Sequence, residues 1–187
     1  MFIQTESTPN PATLKFLPGQ DVLGEGHTAD FPTREAAERS PLAKALFEVD
    51  GVSAVFFGAD FVTITKDGPE WQHIKPSLLG AIMEHYTSGA PLMLDAVAPV
   101  TADISFAEDD AEIVEQIVEL LETRVRPFVA QDGGDITFQS YEAGIVFLNL
   151  KGACAGCPAS TMTLKNGVEN MLKHYVPEVE EVRAVPQ

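Results

Sequence analysis

The chain has 187 residues, 45% hydrophobic and 21% charged, which suits one or two globular domains and excludes disorder over most of its length. Lys and Arg number 12 against 28 Asp and Glu, a net charge of −16 spread over both halves, so general binding to nucleic acid or to a membrane surface is excluded. No apolar run approaches the roughly 18 residues of a membrane-spanning helix.

Residues 2–5 alternate apolar and polar and read as a strand. Thr8-Pro9-Asn10-Pro11 is a turn, because each Pro fixes its own φ and turns the preceding residue away from helix. Residues 14–17 read as a second strand, stopped by Pro18-Gly19, and a polar stretch with Gly24 and Gly26 follows. Gly24-Glu25-Gly26 lacks the rest of a dinucleotide fingerprint. Ser40 predicts an N-cap with Pro41 at the first helical position, and the helix runs on through Leu42, Leu46 and Phe47. Residues 52–57 and 61–65 form a hairpin around Gly58-Ala59-Asp60. Residues 70–87 form an amphipathic helix, with Trp71, Ile74, Leu78, Ile82 and Tyr86 on the packed face and His85 on the surface. That helix stops at Ser88-Gly89.

Pro99, several Ala residues and the loss of periodicity mark a linker over 95–108, which separates a domain at 1–94 from one at 109–187. Glu108-Asp109-Asp110 opens the next helix, where negative charge suits the positive end of the macrodipole. Ile113, Ile117, Val118, Leu121 and Val125 form its stripe up to Arg126-Pro127. Gln131-Asp132-Gly133-Gly134-Asp135 reads as a turn, followed by strands at 136–141 and 145–150 joined near Glu142-Ala143-Gly144. A last helix, with Leu164, Val168, Met171, Leu172 and Tyr175 on one face, ends at Pro177, and 179–185 is a final strand. The fold class is α+β: two small α+β domains on a flexible linker, the second in the order α-β-β-α-β.

The only two cysteines, Cys154 and Cys157, are separated by two residues and lie between the second of these strands and the last helix. So few and so close, they do not make a disulfide scaffold, and the opening residues show neither a secretory signal nor an Arg-rich transit sequence. The expected compartment is therefore reducing, a bacterial cytoplasm, with the mitochondrial matrix the alternative for a processed form. Pro158 suits the first turn of the helix, so both thiols sit at or just before its N-terminus, where the dipole favours thiolate. Two buried small side chains are the bland reading. A dithiol oxidoreductase uses the same spacing but follows the first strand of a βαβ pattern, and here the pair follows a hairpin. A zinc site within one chain lacks ligands, since His174 stands roughly 24 Å along the helix and His27, His73 and His85 belong to the other half. An iron–sulfur cluster needs four thiolates, which two chains would supply across a two-fold axis, and zinc bridging two chains satisfies the same count.

Asp132-Gly133-Gly134-Asp135, Gly152-Ala153-Cys154-Ala155-Gly156-Cys157-Pro158 and Thr163-Leu164-Lys165-Asn166-Gly167 resemble the Nfu-type domain named after the C-terminal part of NifU. The opening residues, Thr8-Pro9-Asn10-Pro11, Leu14-Lys15-Phe16, Phe31-Pro32, Ser40-Pro41-Leu42-Ala43 and Val55-Phe56-Phe57-Gly58 resemble the N-terminal domain that accompanies it. The resemblance implies an iron–sulfur scaffold or carrier rather than an enzyme. It implies a [4Fe–4S] cluster, or a [2Fe–2S] cluster, held between two subunits by Cys154 and Cys157 and received from upstream assembly proteins. The clients it implies are apo-proteins that need a [4Fe–4S] cluster. The Ala-Gly between the cysteines departs from the more polar insert of some relatives.

Other candidates have ordinary readings. Asp132-Gly133-Gly134-Asp135 is expected to act as a turn rather than directly at the thiols, since its carboxylates would raise their pKa. Lys151 and Lys165 are expected at the surface, and Met162 and Trp71 in the core. No general acid–base pair, nucleophile triad or phosphate-cradling loop stands out.

Overall fold

The computed structural model describes residues 1–95, 106–155 and 158–185, the first three residues of the last segment by backbone alone. The chain divides into two compact units, Met1–Pro99 and Val100–Gln187. The greater part of the linker expected over 95–108 lies outside the described residues.

In the first unit, β1 (Gln4–Ser7), β2 (Thr13–Leu17), β3 (Ala29–Phe31), β4 (Val52–Phe57) and β5 (Val62–Lys66) form an antiparallel sheet in the order β1-β2-β5-β4-β3. Helices α1 (Pro41–Phe47) and α2 (Trp71–Ser88) supply Leu42, Leu46, Ile74, Leu78 and Ile82 to one core with Phe16, Phe57 and Ile64 of the sheet. Strand β1 pairs from Gln4, two residues later than expected, and Phe2 is left 78% exposed. Strand β3 was not predicted: three residues are too short for alternation to show. Its Phe31 is fully buried, edge-on to Phe57 at 4.9 Å between ring centroids. His85 is buried, not on the helix surface as expected, and burial pushes its pKa down. Trp71 is half-buried against the core, and its indole N–H donates to the Pro11 carbonyl at 3.2 Å. Helix α2 ends on Gly89 at φ 69°, the left-handed conformation that glycine takes at little cost.

In the second unit a 3₁₀ turn over Glu108–Asp110 opens α3 (Ala111–Leu120). A π-helical turn over Leu121–Val125 joins it to α4 (Arg126–Gln131). The helix therefore runs past Pro127, where the sequence reading ended it. The wider turn shifts the hydrogen-bond register just before the proline, which then stands in the first turn of α4, where its missing N–H is tolerated. Val114, Ile117, Leu121, Val125 and Val129 still bury one continuous stripe.

Strands β6 (Gly134–Glu142) and β7 (Ile145–Gly152) form an antiparallel hairpin whose turn places Ala143 and Gly144 at φ 49° and 82°. Both strands reach further than the sequence suggested, so the ladder closes on Gly134 opposite Gly152. Helix α5 (Pro158–Tyr175) crosses over to β8 (Glu181–Ala184), which pairs parallel to β7, giving the order β6-β7-β8. The helix–strand order is the α-β-β-α-β expected. Val168 and Leu172 are buried as predicted, but Tyr175 is half exposed with the Arg124 guanidinium 5.0 Å from its ring. Met162 is 67% exposed rather than in the core. At the sheet edge, a Glu169 carboxylate oxygen from α5 accepts the Val182 N–H at 3.0 Å, and the other oxygen meets Lys173 at 2.9 Å. Among the described residues, no helix is long and apolar enough to cross a membrane.

The Ser40 cap is present as read from sequence: its fully buried hydroxyl oxygen accepts the Ala43 N–H at 3.2 Å, with Pro41 opening the helix. Ser40→Ala is expected to cost the first unit about 1 kcal/mol, read as a lower urea midpoint. An unchanged midpoint would show that the cap bond contributes nothing.

Candidate functional site

The β6–β7 ladder brings together two sequence motifs that lie about twenty residues apart. Gly133 leaves α4 at φ 79°, and its carbonyl accepts the Ala153 N–H at 3.2 Å. Gly152 turns the chain at φ 65°, and the Ala155 N–H closes back on the Gly152 carbonyl at 3.1 Å. Cys154 sits in this turn, 6% exposed, as part of the hydrophobic core of the unit. From the other side the Thr161 hydroxyl of α5 donates to the Cys154 carbonyl at 3.2 Å. Cys157, the second cysteine of the motif, lies outside the described residues.

The sulfur packs on bare backbone. A Cβ on Gly134 would stand 2.6 Å from Cys154 Sγ, 2.8 Å from the Lys151 carbonyl oxygen and 3.1 Å from the Cys154 nitrogen. Glycine within a strand marks such a close approach. Asp132-Gly133-Gly134-Asp135 is therefore more than the turn expected from sequence: its second glycine is the floor of the cysteine seat.

The second acidic residue of that motif is matched by charge. Asp135 is buried, and its two carboxylate oxygens accept from Arg126 Nε at 2.8 Å and Nη2 at 3.0 Å. One of these oxygens also accepts the Ile136 N–H at 2.9 Å. The remaining end of the guanidinium meets both oxygens of the half-exposed Glu122, at 2.9 and 2.8 Å. Burial alone would lower the Arg126 pKa, but hydrogen bonds and charge attraction from Asp135 and then Glu122 outweigh it and raise it. The guanidinium stays protonated at any physiological pH, so the buried Asp135 carboxylate is matched by charge.

Lys165 reaches Glu181 at 3.9 Å, in keeping with its expected place at the surface. Arg126 and Thr161 escaped the sequence reading. The i, i+4 spacing of Glu122 and Arg126 was visible as a helical ion pair, but nothing local ties Arg126 to Asp135. Among the described residues no group of three or more His, Cys, Asp or Glu could hold a metal ion. A metal centre in this unit would need donors from beyond that set.

Two family models match the chain: "Scaffold protein Nfu/NifU N terminal" over residues 3–89 and "NifU-like domain" over residues 117–183. The chain belongs to the Nfu/NifU family. Its Nfu-type relatives include two proteins named "NFU1 iron-sulfur cluster scaffold homolog, mitochondrial". The one from Drosophila erecta is 58% identical over 186 residues, which cover 99% of this chain and 65% of the relative. The one from Drosophila virilis is 57% identical, covering 99% and 62%. The chain thus spans just under two thirds of the length of these relatives. The solution NMR structure of a NifU-like protein from Saccharomyces cerevisiae is 28% identical, covering 50% of this chain and 84% of that one at a TM-score of 0.45.

Gly134→Ala is expected to destabilise the second unit by roughly 1–3 kcal/mol, since two of the three nearest atoms are backbone and the methyl group cannot be accommodated by a side-chain rotation. Urea denaturation checks it. A variant as stable as the wild type would show that the sulfur is not seated against this glycine.

Proposed function

We propose that this protein carries an iron–sulfur cluster as cargo, bound by the thiolates of Cys154 and Cys157 and handed to apo-proteins. The observation that carries the reading is the donor set. The only two thiols of the chain stand three positions apart in the NifU-like domain, and the described one, Cys154, lies in the turn after β7. The names of the fly relatives support it. Thiolates are the ligands that iron–sulfur clusters take, and four are needed. Two chains supply four, so the reading includes a cluster, [4Fe–4S] in the first instance, shared in a homodimer that forms on loading.

The burial of Cys154 adds a step. Its sulfur lies against the Gly134 backbone, so ligation requires that sulfur to leave this place. Transfer then proceeds by ligand exchange, client thiolates replacing Cys154 and Cys157 one at a time. The protein acts as a carrier rather than a catalyst. The compartment must keep both thiols reduced: a bacterial cytoplasm in this reading, with the mitochondrial matrix the alternative. The domain at 1–94 holds no cysteine and supplies no thiolate; its proposed role is recognition of clients or upstream donors.

Anaerobic reconstitution with iron and sulfide tests the reading. About four iron and four sulfide per two chains are expected, with a dimer that appears only on loading. Cys154→Ser and Cys157→Ser are each expected to abolish stable loading. A colourless protein without iron overturns the proposal in favour of thiol exchange, and zinc in its place points to a zinc-bridged interaction module. Removing residues 1–94 is expected to leave loading intact and slow delivery to an apo-client; equal delivery rates would remove the recognition role.

A further inference from the structure

Arg126 and Asp135 make the most completely buried ion pair among the described residues, their side chains 14% and 5% exposed. Nothing in the donor chemistry of the thiols asks for it. Its place does. Asp135 directly follows Gly134, the residue whose bare backbone receives the Cys154 sulfur, and directly precedes Ile136, whose N–H its own carboxylate holds. Arg126 stands at the start of α4, on the same rigid helix that delivers the chain to Gly133. The fork from Arg126 to both oxygens of Asp135 thus ties the helix to the first residues of β6 on the side away from the hairpin turn. The ladder pair Gly134–Gly152 and the bond from Ala153 to Gly133 carry that fixed position across to the cysteine loop.

We propose that Arg126 is the positioning residue of the cysteine seat: by pinning Asp135 it holds Gly134 under the sulfur of Cys154 and limits how often that thiol is accessible. The statement about the thiol stands on geometry alone, and its meaning for cargo rests on the carrier reading above. A buried carboxylate that loses its guanidinium is left uncompensated, and the cheapest relief is to swing the start of β6 towards water. That movement takes the floor away from Cys154. Glu122 cannot substitute, because it meets the outer end of the same guanidinium and carries the same sign as Asp135.

The test reads the thiol directly. In a Cys157→Ser background Cys154 is the sole thiol, and its alkylation rate under native conditions reports how often the seat opens. Arg126→Gln is expected to raise that rate about tenfold, Asp135→Asn by a smaller factor, and Arg126→Lys is expected to lie between Arg126→Gln and the parent. Ile117→Val loosens the same core from α3, away from the seat, and is expected to leave the rate near that of the parent. Should Arg126→Gln fail to fold, Asp135→Asn carries the test. Parent-like rates in both charge variants, or an equal rise in Ile117→Val, overturn the proposal. With both cysteines present and the cluster loaded, the Arg126 variants are expected to release iron faster. If the parent binds no iron while the alkylation pattern holds, the carrier reading falls and the positioning role stands.

Discussion

Sulfur and backbone share a space between residues 134 and 154 that has no room for a methyl group. The rest of the second unit is arranged to make that approach possible. The hairpin ends on the pair Gly134–Gly152, and at Gly134 the absent side chain leaves the space that the sulfur fills. The chain entering β6 must come off its helix through a left-handed residue, and Gly133 supplies it. The stripe from Val114 to Val129 then fixes the helix on the sheet, and the forked ion pair fixes its end. Cysteine reactivity depends on access and on neighbouring charge. Here access is set by the backbone at Gly134, and the nearby charge of Asp135 is matched by the Arg126 side chain.

The two units differ in build. The first is a five-stranded antiparallel sheet with two helices on a dense aromatic core, and its sequence contains no thiol. The second is smaller in its sheet, carries both cysteines in sequence, and shows its motif residues where the ladder ends. A charge of −16 makes two copies repel, so any pairing through shared cargo must be held by bonds at the site rather than by broad electrostatic attraction.

Much of this was legible in the sequence, and the exceptions share a cause. Ser40-Pro41, the hairpin around Gly58 and the ends of α2 were readable because each is a local signal, a cap, a turn or a period, that tertiary packing did not override. Cys154 stood out as a candidate because of its spacing from Cys157 and the flanking residues that resemble the Nfu-type domain. What was missed depends on partners distant in sequence. Gly134 looked like a turn glycine because its partner, Cys154, is twenty residues away. Pro127 looked like a helix stop because a π turn leaves no residue signature of its own. His85 looked exposed because it lies beside the apolar stripe of α2, and Met162 looked buried because it lies near the stripe of α5. Helical periodicity resolves a face only to about one residue, so positions at its border go either way.

Strand β8 is the outer edge of the second sheet, and its bond to Glu169 has a bearing on how the protein behaves when crowded. An exposed strand edge offers free N–H groups to any passing chain and is a common starting point for aggregation. In this sheet a carboxylate from the neighbouring helix already occupies the Val182 N–H. Bonds from Lys173 and then Val182 hold that carboxyl below its ordinary pKa, so it remains ionised into mild acid. A strand arriving at this edge would have to displace a charged acceptor from its donor. That N–H of the edge is thereby closed to a strand from another copy of the unit.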